Sequence, residues 1–118
     1  MDDKEIIDSR LSELLSLLKR MEDASAKFED RKDLHTGWPE AITALYNLIK
    51  QIQSKKVMKL ETVRNVLLLV NITLNNTMGT VQTYARISYN PMLKKQWISL
   101  LSDLLDLSNV VNDLGSKF

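Results

Sequence analysis

The chain has no cysteine among its 118 residues. A disulfide scaffold, a thiolate nucleophile and a cysteine zinc site are therefore excluded. The absence fits a reducing compartment, and the expected location is cytoplasmic. Glycine occurs only three times and proline twice. No glycine-rich phosphate loop can be built from Gly37, Gly79 and Gly115. Long apolar runs are also missing. The longest, Val66–Val70, is far short of a membrane span. The acidic start, Asp2-Asp3-Lys4-Glu5, lacks the basic and apolar regions of a secretion signal.

What is present is leucine, 20 residues of it. Leucine loses little rotamer freedom in a helix, and few backbone breakers interrupt the pattern. The expected fold is all-α: one domain over 1–118, a four-helix antiparallel up-down-up-down bundle. Its helices are expected at about 3–33, 38–54, 59–88 and 91–114, with helix 2 lying across one end of a three-helix packing as the alternative.

In the first segment Ile7, Leu11, Leu14, Leu18, Met21 and Phe28 keep heptad spacing, broken by Ser25, and Leu15 and Leu17 widen the stripe. Thr36-Gly37-Trp38-Pro39 interrupts it, and Pro39 suits the first turn of the next helix. Ile42, Leu45, Leu48, Ile49 and Ile52 follow. The third segment carries Leu60, Val63, Leu67, Val70, Leu74, Met78, Val81 and Ala85. Tyr89-Asn90-Pro91 ends it, with Asn90 a natural N-cap for the fourth. There Leu93, Trp97, Leu100, Leu104, Leu107, Val111 and Leu114 keep heptad spacing. Gly115 is placed as the residue just past the helix end. The expected core comprises Leu11, Leu14, Leu18, Leu45, Leu48, Leu67, Val70, Leu74, Leu100, Leu104 and Val111.

Catalytic chemistry finds little support. His35 is the only histidine. It has acids nearby, but no Glu-x-x-His pairs or inward carboxylates of a helical metal site. Asp103 and Asp106 fall between the heptad leucines and are expected to face water. Neither an enzyme, a metal nor a cofactor is expected.

Charge is distributed unevenly. Residues 1–40 hold 11 acids and 7 bases, a net −4, while residues 41–118 hold 4 acids and 9 bases, a net +5. Lys50, Lys55, Lys56, Lys59 and Arg64 surround the second turn. They are expected to be neutralised by Asp2, Asp3, Glu5 and Asp8 at the same end. At the opposite end Phe28, Trp38, Tyr84, Tyr89 and Trp97 meet Arg31, Lys32, Arg86, Lys94 and Lys95. Interleaved rings and cations can bind single strands, but large rings more often plug a helical core.

From Asn65 to Ala85 there is no charged residue. Opposite the main seam runs a second one: Asn65, Leu69, Ile72, Asn76, Gly79 and Thr83, spaced 4, 3, 4, 3, 4. A solvated face normally carries charge. The expectation is a protein that acts by protein contact, most economically a homodimer through this helix, anchored by Leu69 and Ile72 with Asn76 setting register. The alternative is a nucleic-acid-associated accessory protein using Arg86, Tyr89, Lys94 and Lys95, or the Lys55, Lys56 and Lys59 turn.

Overall fold

The computed structural model describes residues 2–118, and its regular secondary structure is helical throughout. Among the described residues six helical segments occur: α1 (Asp3–Ser9), α2 (Leu11–Ala26), α3 (Lys32–His35), α4 (Trp38–Gln53), α5 (Leu60–Ile87) and α6 (Pro91–Gly115). Five exceed one turn; α3 is a single turn.

The expected first helix over 3–33 is therefore corrected to three segments. Its hydrogen-bond ladder is disturbed at Arg10, whose backbone N–H also reaches Ile7 O and whose φ and ψ are −109° and 8°. After Ala26 the chain turns, with Phe28 N–H donating to Ser25 O at 3.2 Å. That turn drops the Phe28 ring edge-on against Trp38, 5.0 Å between centroids. Burying two large rings favours the turn over continued helix.

The other boundaries follow local chemistry. Gly37 has φ +86°, a left-handed conformation open to glycine, and it admits the chain into α4 with Pro39 in the first turn. Asn90 Oδ1 accepts from the N–H groups of Met92 (2.9 Å) and Leu93 (3.2 Å), capping α6 as its sequence implies. α4 ends in a Schellman motif. Lys56 N–H donates to Gln51 O and Lys55 N–H to Ile52 O. Lys55 holds φ 61° there, where glycine is usual. Gly115 does not stop α6 as expected. It is the last helical residue, and the cap is Ser116 in a right-handed conformation.

α2 packs on α4 and α6, and α5 packs on α4 and most extensively on α6. Direction is fixed by residue pairs. Near the start of α2, Glu13 meets Lys117 (3.6 Å), while Lys27, just past its end, meets Asp103 (3.3 Å), so α2 and α6 run oppositely. Asn71 with Ser108 and Tyr84 with Trp97 set α5 against α6 in the same antiparallel sense.

The core holds Leu14, Leu17, Met21, Trp38, Leu45, Val63, Val70, Leu74 and Leu104, all fully enclosed. Two expected core members, Leu11 and Leu100, are only partly buried, and Leu15 lies outside. Among the described residues no buried side-chain polar atom lacks a hydrogen-bond partner. Trp38 Nε1–H donates to Thr77 Oγ1 (2.7 Å), whose hydroxyl donates to Leu34 O (3.0 Å).

The molecule measures 53 × 23 × 18 Å. Its radius of gyration is 15.7 Å, above the ~13.5 Å expected of a compact domain this size. The cause is unequal helix length. At 1.5 Å per residue, α5 is about 42 Å long and α4 about 24 Å. The α5–α6 hairpin thus outruns its partners. Heptad spacing in α6 begins at Leu93, yet no residue from Pro91 to Asp103 is fully buried, because that stretch has only α5 and the α2–α3 turn beside it.

Candidate interaction surfaces

Three groups of side chains invite a functional reading. The first is Ser25 and His35, whose Oγ and Nε2 lie 2.6 Å apart. Hydroxyl and imidazole at that distance can make a nucleophile and base. Ser25, however, is buried inside α2, where neighbouring backbone N–H groups serve helix hydrogen bonds and none is left for an oxyanion. The pair ties α2 to α3, with Phe28 edge-on to the imidazole. Among the described residues no three His, Asp or Glu side chains gather as metal ligands. Asp103 and Asp106 are exposed, as their spacing implied.

The second is the aromatic end. Four of its five rings are committed to packing. Phe28 and Trp38 are buried together, and Tyr84 stacks at a tilt on Trp97, 5.1 Å between centroids. Arg31 lies over both Tyr84 (5.3 Å) and Trp97 (5.2 Å). Its guanidinium bridges Asp33 at 2.9 Å, and the Tyr84 hydroxyl donates to the same carboxylate. The guanidinium beside it, then the Tyr84 hydroxyl, hold the Asp33 carboxyl down at about 2, and the carboxylate pushes Tyr84 up. This cluster clamps the α2–α3 turn to the hairpin. Only Tyr89 stands free, fully exposed.

At the other end, Lys55 and Lys56 line a small cleft with Lys4, Asp8 and Ile52. The expected neutralisation is thus one of proximity. Among the described residues no ion pair within 4.0 Å joins Lys50, Lys55, Lys56, Lys59 or Arg64 to an acid. Arg64 donates instead to the Phe118 carbonyl.

The third group is the outward side of α5. Asn71 faces α6 through Ser108, and Thr77 faces the start of α4 through Trp38. Stepping 100° per residue, the positions farthest from both are 65, 69, 72, 76, 79 and 83. All six are exposed. Ile72 is 48% exposed, Leu69 39% and neighbouring Leu68 56%, while a Cβ built on Gly79 would meet nothing within 4 Å.

This side continues onto α6, a feature that the sequence reading did not reach. There Ser108 faces α5 and Asp103 faces α2, so Ile98 and Leu105 lie beyond Ser108, on the side away from α2. Both are about half exposed. The register averaged over Asn71–Ser108 and Tyr84–Trp97 places Leu105 level with residue 75 and Ile98 with residue 82. Apolar side chains therefore run obliquely from Leu68, Leu69 and Ile72 across to Leu105 and Ile98. Ser102, Asn109 and Asn112 flank them, exposed and uncharged. Half-exposed aliphatic groups on and beside the charge-free stretch Asn65–Ala85 suit contact with another largely uncharged surface.

The chain matches no family model, no curated protein and no solved structure.

Proposed function

We propose that this protein acts by contact between copies of itself rather than by catalysis. Its four long helices, α2, α4, α5 and α6, would serve as an up-down-up-down bundle that presents the outward side of α5 and α6. The observation that carries the reading is the exposure of Leu68, Leu69 and Ile72 in the charge-free stretch Asn65–Ala85, with exposed Ile98 and Leu105 beside it on α6.

Composition argues for a second copy as the occupant. A nucleic acid or a charged peptide would find no counter-charge along Asn65–Ala85. An identical face leaves no charge unpaired. Size is adequate too. A face about 30 Å long and two helices wide has an outline of about 600 Å². Side-chain relief brings it near the ~800 Å² that each partner gives to a standard interface.

Side-chain size selects the orientation. With two α5 helices antiparallel about a two-fold axis at the level of residue 74, Leu69 meets Gly79 of the second copy, Asn65 meets Thr83 and Ile72 meets Asn76. Large then fits small at Leu69, over a glycine with open space above it. Parallel pairing would set glycine on glycine and leave a gap. The cysteine-free chain suits a reducing, cytoplasmic setting.

The same lack of cysteine permits a clean test. A chain carrying both Leu69→Cys and Gly79→Cys should form disulfide-linked dimers under mild oxidation, and each single variant should link poorly. Efficient linking by Leu69→Cys alone would mean parallel helices, and no linking in any variant would remove the contact.

A further inference from the structure

The tip of the α5–α6 hairpin carries a surface unlike the rest of the molecule. Ile87 is 60% exposed, Met92 72%, and Tyr89 fully exposed, with Leu93 beside them also exposed. These side chains stand at the far end of the hairpin, where it has outrun α4. Among the described residues nothing packs over them.

Cations stand immediately behind. Arg86, Lys94 and Lys95 are all exposed. By the α5–α6 register they lie level with residues 85–86, while Ile87, Leu93, Met92 and Tyr89 occupy levels 87–89. The apolar crown therefore projects a few ångströms past a cationic collar. No acid occurs between Glu61 and Asp103. Of the acids nearest this end, Asp33 is held by Arg31 and Tyr84, and Asp103 pairs with Lys27. Glu29 and Asp30 sit in the α2–α3 turn. That turn's contact with the hairpin, Arg31 over Tyr84 and Trp97, lies about one helical turn behind the crown.

We infer that this tip docks on an anionic lipid surface, with Ile87, Tyr89 and Met92 entering the interface and Arg86, Lys94 and Lys95 meeting lipid phosphates and carboxylates. Shape and chemistry favour lipid over nucleic acid. The crown is convex and mainly aliphatic, and only Tyr89 offers a ring for base stacking. Aliphatic groups gain by entering hydrocarbon, tyrosine suits the headgroup boundary, and long cationic side chains reach back to the headgroups. No helix among the described residues is long and apolar enough to cross a membrane, so the contact is peripheral. The inference is independent of self-association, since crown and collar lie outside the Asn65–Thr83 seam.

The test is co-sedimentation of the full chain with vesicles of phosphatidylcholine containing 30% phosphatidylserine, against pure phosphatidylcholine and a single-stranded oligonucleotide. Binding should need phosphatidylserine and weaken with salt. Each collar cation near an anionic surface is worth about fivefold in binding. Lys94→Gln with Lys95→Gln should therefore lower vesicle binding on the order of 25-fold, and Ile87→Ser with Met92→Ser should lower it at least tenfold. All four positions are exposed, so thermal melting should stay unchanged and separate a binding loss from misfolding. Absence of binding to the phosphatidylserine vesicles overturns the inference. So does binding indifferent to the crown substitutions, or oligonucleotide binding tighter than vesicle binding and equally lost with the lysines.

Discussion

α2 and α5 bury their inner faces in the same way and differ in what they show outside. Inward, α2 offers Leu14, Leu17, Leu18 and Met21, and α5 offers Val63, Leu67, Val70, Leu74 and Val81. Outward, α2 displays Lys19, Arg20, Glu22 and Asp23, whereas α5 displays Asn65, Leu69, Ile72, Asn76, Gly79 and Thr83. Both helices pack on α4, α6 and one short segment, α1 or α3, and leave one side open, so the number of neighbours does not explain the contrast. A helix that simply faces water tolerates charge at such positions and gains solubility from it. The uncharged face of α5 is what an intermittent or permanent contact would require, and the charged face of α2 is what water requires.

The inner faces should respond alike. Leu17→Ala and Leu74→Ala each empty a fully enclosed site, and each should lower stability by about 2–5 kcal/mol, the usual range for such cavities. Denaturant unfolding of the two variants checks this. A much smaller loss for Leu74 would mean that α5 is not anchored as α2 is, and the comparison of their outer faces would lose its basis.

A smaller effect of opposite sign is expected at the lysine turn. Lys55 adopts a left-handed conformation in which a side chain is strained by about 1–2 kcal/mol, and its role there is to end α4. Lys55→Gly should raise stability by about 1 kcal/mol while leaving the molar mass unchanged. A loss of stability on thermal melting would show that the Lys55 side chain makes a contact worth more than the strain.

The inner faces were readable in the sequence because a heptad pattern and a buried stripe are the same fact seen at two levels. Pro39, Asn90 and Pro91 marked two helix starts for an equally local reason. The division of the first segment was hidden. Nothing at Arg10 breaks a helix by propensity, and the turn after Ala26 is driven by Phe28 reaching Trp38, ten residues away. Long-range ties such as Trp38–Thr77 and Asn71–Ser108 leave no periodic trace. Leu93 shows the converse failure. It keeps the heptad register but has no third helix to pack against, because helix lengths and not spacing decide where the bundle ends. The charge-free stretch of α5 was visible as composition, but its continuation onto Ile98 and Leu105 needed the register of the hairpin.

The outer face gives the smallest expected change in stability and the largest in assembly. Ile72→Lys places a charge on an exposed position of an already exposed seam, so the fold should shift by less than about 0.5 kcal/mol. The most direct test of the account is the molar mass of the full chain by light scattering across a concentration series, for the natural chain and for Ile72→Lys. The account predicts about twice the 13.6 kDa chain mass for the natural protein and the single-chain mass for the variant. A natural chain that stays at 13.6 kDa at high concentration would contradict it.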